Sequence, residues 1–338
     1  MHKLSYLLSI ILLLAVRLLQ AQTLHVNAST GSDAADGKVA TPVATLQRAV
    51  ELAKAFKPGE SVTIKVAPGL YTLRDQVVID KRNTEEAWLT IEAASMPDDA
   101  DWKPAQMPVI QSISSNNNKT QFQHAVGLLV AADHVRIRGM KFIGNGNPEV
   151  QYYYPVSRKD STLTGLDVSQ CYFIGERNSA PIQGSIWAHG AGIHVDHCVF
   201  YGTKNALLLF MAIRDFSLKN SIIVGAYESA VWFGTFHEPF VFENNIVADS
   251  EYLWLRAEKT YPKYRFKNCL FLRMQYDMGY YGSNGAMPAD SNAHFEEQVS
   301  RTGELLLSEV ATKGLPHDYL HPLPNSAGKE LNAGIFKK

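Results

Sequence analysis

Cysteine is scarce in this chain. Its 338 residues hold three, Cys171, Cys198 and Cys269, too few for a disulfide framework to carry the fold. A dominant charge sign is also missing. The net charge is −1 and no acidic or basic block stands out, so nothing electrostatic favours nucleic acid as a partner. Metal motifs are weak. His189 and His194 stand five apart with no carboxylate partner evident in the sequence, and the Asp-Ala-Ala-Asp-Gly stretch from Asp33 is too short for a calcium loop. No cofactor is therefore expected, and calcium has no motif behind it. Two-residue turn signals such as Asn-Gly between successive strands are largely absent, which argues against a hairpin meander.

Long apolar runs are missing except at the start. His2 and Lys3 precede an apolar run from Leu7 to Leu19, followed by the small residue Ala21. That run is short for a membrane span and reads as an export signal over 1–21, cut near Ala21–Gln22. A secreted or periplasmic protein is expected, with no membrane span after cleavage. The alternative is an uncleaved anchor. With 46% hydrophobic and 19% charged residues, the rest can bury a sizeable core.

What is present is a repeat. VRIRGMKFIG (135–144), LDVSQCYFIG (166–175), IHVDHCVFYG (193–202), FSLKNSIIVG (216–225), FVFENNIVAD (240–249) and YRFKNCLFLR (264–273) share one pattern. Each has two alternating apolar residues, a polar break and two more apolar positions. Phe142, Phe173, Phe200, Ile223, Val247 and Phe271 form an equivalent column, and subtracting successive positions gives 31, 27, 23, 24 and 24 residues. A sustained period of this size marks a solenoid. Period-two alternation rich in Val, Ile and Phe marks its strands as β. Stacked coils, roughly 4.8 Å apart, explain the pattern.

Three residues before each anchor stand Gly139, Gln170, His197, Asn220, Asn244 and Asn268. Stacked Asn side chains at a tight turn hydrogen-bond along the axis and tolerate left-handed backbone. His197 and Gln170 are expected to extend that ladder, so His197 is assigned a structural role. Cys171 and Cys198 fall on adjacent coils as buried thiols, a disulfide between them being the other reading. Upstream, 62–66, 68–73, 76–79 and 88–93 supply the first turns. TLQRAVELAKAF (45–56) is an amphipathic helix with Thr45 as N-cap, placed to cap the solenoid. The expected organisation is 22–60 as opening segment and capping helix, 61–276 as coils, and 277–338 as a tail packing over the far end.

The opening HVNASTGSDAADGKVATPVATLQRAVELA with VAPGLYTL, and the closing DYLHPLPNSAGKELNAGIF (318–336), resemble the first and last segments of pectate-lyase-like proteins. The resemblance implies an all-β, right-handed parallel β-helix. That superfamily includes polysaccharide lyases, glycoside hydrolases, epimerases and non-catalytic surface proteins. No catalytic residue carries over.

A third strand per coil lies in GSIWAHG (184–190), NALLLFM (205–211), SAVWFGT (229–235) and YLWLRAE (252–258). If Leu207/Leu209, Val231/Phe233 and Leu253/Leu255 point inward, Trp187, Leu208, Trp232 and Trp254 form one exterior column. Indole rings there are either a stacking platform for sugars or are covered by the Tyr-rich insertion 148–160. The next exterior column holds His189, Phe210, Gly234 and Arg256. His237, Glu238, Glu258 and Lys259 lie just beyond, and Arg158 and Lys159 reach over from the insertion.

Three functions fit these residue types. A lyase needs a base and cations beside a uronic carboxylate, which Arg256, Lys259, His189 and His237 supply. A glycoside hydrolase needs paired carboxylates, for which Glu238 with Glu258 or Asp277 are available. A non-catalytic glycan-binding protein needs only the Trp column. The lyase ranks first because cations and imidazoles outnumber paired carboxylates. A monomer acting on a polysaccharide or oligosaccharide is expected.

Overall fold

A computed structural model describes residues 22–119, 122–233, 240–260, 263–289, 294–308 and 319–337. The export-signal segment 1–21 lies outside the described residues, as do His237 and Glu238.

Each complete coil contributes one strand to each of three sheets, parallel throughout except for the closing antiparallel pair Tyr276–Gly282 with Gly285–Pro288 in the third. The first sheet has ten strands, the second eight and the third nine. One typical coil runs Arg214–Lys219, Ile222–Val224 and Ser229–Phe233. The anchor column is in register throughout, from Phe142 opposite Phe173 to Val247 opposite Phe271. Its rings stack along the axis: Phe142 on Phe173 at 4.9 Å and Phe173 on Phe200 at 5.0 Å, both nearly parallel. A coil interior this narrow is closed by stacking like on like.

The turn between first and second sheets explains the polar column. Gly139, Gln170, His197, Asn220, Asn244 and Asn268 all have positive φ, between 50° and 72°. Asn268 donates to Asn244 at 2.7 Å, Asn244 to Asn220 at 2.9 Å, and Asn220 to Asp196 at 2.8 Å. His197 and Gln170 share the backbone shape but leave the ladder. His197 Nδ1 bonds the Gly334 carbonyl at 2.9 Å, and Gln170 donates to the Ile335 carbonyl at 2.9 Å and to Asp98 at 3.1 Å. Their longer side chains reach sideways to the C-terminal segment instead of up the axis.

That segment corrects the expected tail. Residues 319–337 run back along the flank of the second sheet and do not close the far end. Tyr319, Leu320, Leu331, Ala333 and Ile335 bury Tyr172, Val199, Ile222, Ile246 and Leu270. Phe336 reaches Trp102 edge-on at 5.5 Å. The parallel pairing also extends outside 61–276 at both ends. Gln22–Val26 pairs with Val62–Val66 at the start, and His294–Glu297 pairs with Tyr264–Lys267 at the finish. The capping helix spans Leu46–Ala53 and turns Leu46, Ala49, Val50 and Ala53 into the core. Thr45 Oγ1 accepts the Arg48 N–H at 3.1 Å, the N-cap bond that starts it. All three cysteines are buried and free.

Candidate functional site

The outer face of the third sheet carries the expected aromatic column in part. Trp187 pairs with Leu208, and Leu208 with Trp232. The next rung, however, is Leu255, because Trp254 pairs with Val231. Trp254 therefore points into the coil and is 0% exposed. It stacks on Phe240 at 4.5 Å and meets Tyr264 edge-on at 5.1 Å. In a Leu-Trp-Leu run either phase is apolar, and the phase that buries the largest ring prevails. Trp254 is thus removed from any exterior platform.

The rings that do face outward mostly cover one another. Tyr154 and Phe210 pack on Trp187, and the segment bearing Phe122 and His124 lies over it. Tyr154 comes from the Tyr-rich insertion, whose Tyr153–Arg158 stretch is itself a coil strand. Phe210 stacks on Trp232 at 4.7 Å, one rung spacing, so these rings face each other along the axis and turn edges outward. Tyr281 approaches Trp232 edge-on at 5.8 Å.

Among the described residues, the polar groups expected beside them do not gather. Arg256 pairs with Phe233, and Phe233 with Leu209, which puts it in the inward phase at the strand end and not beside Phe210. Its guanidinium donates to the Ala257 carbonyl and sits 5.6 Å over Tyr280. His189 lies three rungs below Arg256, about 14 Å by rung spacing. His189 is 6% exposed, accepts the Met211 N–H, and has its pKa lowered by burial and by Arg158. Arg158, expected to reach over a ligand, is instead buried. It donates to the carbonyls of Leu163, His189, Ala191 and Gly192, tying two turns together. Burial lowers its pKa to about 10, so it stays charged at neutral pH. Glu258 and Lys259 are exposed at the turn, Lys259 with φ of 64°. Asp277 is held by Arg301 at 3.0 Å.

A denser constellation sits on the outer face of the first sheet. The second position of each repeat forms a column in register: Arg136, Asp167, His194, Ser217, Val241, Arg265 and Phe295. His194 Nδ1 donates to Asp167 at 3.3 Å, and its Nε2 lies 3.2 Å from Asp215. His194 therefore has two carboxylate partners, correcting the expectation of none. Asp215 comes from the neighbouring coil with φ of 49°, and its side chain is 75% exposed. Arg136 Nε donates to the other Asp167 oxygen at 3.0 Å. The Arg136 plane lies 4.0 Å over Trp88. Its two Nη groups make no hydrogen bond among the described residues, so the fork is oriented and open.

The electrostatics follow from these contacts. Burial opposes ionisation of Asp167, but hydrogen bonds from His194 and Arg136 outweigh it and hold its pKa below the ordinary carboxyl value. The hydrogen bond to Asp167 raises the His194 pKa above 6.5 against the effect of burial, and Asp215 adds to the rise. The arrangement is a proton-transfer imidazole oriented by a carboxylate, with a guanidinium fork alongside. In the adjacent column Glu92 is buried between Lys65 and Arg138, a closed ion-pair set. Among the described residues no group of His, Cys, Asp and Glu is arranged to hold a metal ion.

No family model matches the sequence, and no curated protein matches it. Among solved structures, a rhamnogalacturonan lyase is similar at 11% identity and a TM-score of 0.50, covering 94% of this chain and 100% of that one. A pectate lyase matches at 12% identity and a TM-score of 0.41, covering 91% of each chain. A glycoside hydrolase matches at 8% identity and 0.42, covering 94% of this chain and 99% of that one. At such identities the likeness is one of fold. By architecture the chain is a parallel β-helix.

Proposed function

We propose that the protein is an extracytoplasmic polysaccharide lyase that cleaves a uronate-containing glycan by β-elimination at the outer face of the first sheet. The observation that carries this reading is His194 held between Asp167 and Asp215, with the open Arg136 fork beside it. Elimination removes the proton next to the uronic carboxylate. The electron pair forms a carbon–carbon double bond, the bond to the leaving sugar oxygen breaks, and that oxygen takes a proton from solvent. Arg136 grips the carboxylate in bidentate fashion and stabilises the charge that develops on it. His194 takes the proton through Nε2 once the exposed Asp215 side chain gives way, and Asp167 holds the ring and stabilises the imidazolium. The hydrogen bond to Asp167 that raises the His194 pKa makes the imidazole a stronger base.

Hydrolysis is less well supported. It needs one carboxyl kept protonated, whereas Asp167 is held ionised and Asp277 is tied to Arg301. The test is a screen of purified protein against acidic and neutral polysaccharides, reading unsaturated products and reducing ends together. Both signals should appear on acidic glycans only. Reducing ends without unsaturation would make the protein a hydrolase. Binding with neither signal would make it a glycan-binding protein.

A further inference from the structure

Beyond Ser217, the His194 column changes character. Val241 is exposed, Arg265 is exposed, and Phe295 is 66% exposed, the most exposed of the large aromatic side chains described. Phe295 lies on His294–Glu297, the last strand of the first sheet, directly above Arg265. Such outward positions on terminal strands are usually charged, which discourages unwanted pairing. Arg265 makes no hydrogen bond or ion pair among the described residues, and Phe295 meets no other ring there. Their charged neighbours are already matched: Lys267 bonds Glu243 at 3.1 Å, and Arg301 bonds Glu296 at 2.6 Å.

We infer that Arg265 and Phe295 form a distal subsite for an acidic glycan lying along the coil axis, an inference that rests on the lyase reading of the His194 site. The geometry is set by the rungs. Arg265 stands three rungs from His194 and Phe295 four, about 14 and 19 Å. A rung is comparable in length to one pyranose residue, so a chain along the column places about one sugar per coil. The third sugar from the reacting one then offers its carboxylate to Arg265. The fourth lays its apolar face on Phe295. Ser217 and Val241 are small and leave the path between clear. The subsite makes the protein prefer long uronate chains to short ones.

The experiment uses the full mature chain with Phe295→Ala and Arg265→Gln. Migration is measured in gels containing polygalacturonate, alginate or neutral dextran. Turnover is measured on the better-cut uronate polymer and on its di- and trisaccharides. Both variants should lose retardation in the uronate gel and lose kcat/KM on polymer by roughly 5- to 100-fold, the range for one lost stacking partner. Neither should change on the short oligosaccharides or in thermal midpoint. Wild-type-like behaviour on polymer, with cleavage intact, overturns the subsite and leaves the lyase reading standing. An equal loss on polymer and trisaccharide also overturns it, because the residues would then act at the reacting sugar. If the wild type neither cuts nor is retarded by any uronate polymer, the lyase reading falls and the subsite with it.

Discussion

Trp254 and Trp232 both sit in third-sheet strands with apolar residues on either side, yet one is core and the other surface. Trp254→Ala should destabilise the fold by about 3–5 kcal/mol, as for other large core deletions. Trp232→Ala should cost much less. Denaturant melts of the two variants check this, and similar losses would contradict the observed register. His194 gives a pH signature. Its folded pKa lies above the unfolded value near 6.5, so its ion pairs stabilise fully below that value. The contribution is lost as pH rises through the folded pKa. Thermal midpoints of wild type and His194→Gln should therefore differ most near pH 5–6 and converge above the folded pKa. A gap that widens with pH would contradict the assignment. The cysteines offer a third check. Burial pushes the Cys269 thiol up to about 12 and raises Cys198 as well. Denatured protein without reductant should titrate three thiols, and native protein essentially none. A single reactive group after denaturation would reveal a disulfide between Cys171 and Cys198.

At the scale of elements, the turn column was legible because left-handed backbone restricts residue choice, and Asn220, Asn244 and Asn268 announce it. Asn244→Ala removes two ladder bonds and leaves a strained φ, at a cost of about 1–3 kcal/mol read by chemical denaturation. The outer columns were equally present in the aligned repeats, with Arg136, Asp167 and His194 at one position. They are hard to read as a site from the repeat alone, which does not mark Asp215; it enters from the start of the next coil's strand, Arg214–Lys219, where the backbone turns to positive φ. The phase at Trp254 was not legible, since Leu253 and Leu255 satisfy either alternation. The C-terminal strap left a different trace. Second-sheet strands such as Ile222–Val224 and Leu270–Leu272 are apolar on both faces, which requires a cover outside as well as a core within. Nothing periodic in the tail says that it supplies that cover. Deleting residues 319–338 should expose the second-sheet face and raise binding of a hydrophobic dye. Unchanged dye binding and melting would show that the strap carries little.

For the whole molecule, the solenoid separates stability from chemistry. Stacked apolar columns inside the coils and the Asn ladder at one turn hold the stack, while each outer face is free to vary rung by rung. The third-sheet face is spent largely on aromatic packing, and the first-sheet face carries the open guanidinium and the oriented imidazole. No helix among the described residues is long and apolar enough to cross a membrane. The most direct measurement of this account compares formation of unsaturated products by wild type, His194→Gln and Arg256→Gln on the best acidic polysaccharide. The account predicts that His194→Gln loses roughly 100-fold or more in kcat, the scale of a lost acid–base group, with its fold intact, while Arg256→Gln stays near wild type. Full activity in His194→Gln together with a collapse in Arg256→Gln would contradict it and return the chemistry to the third sheet.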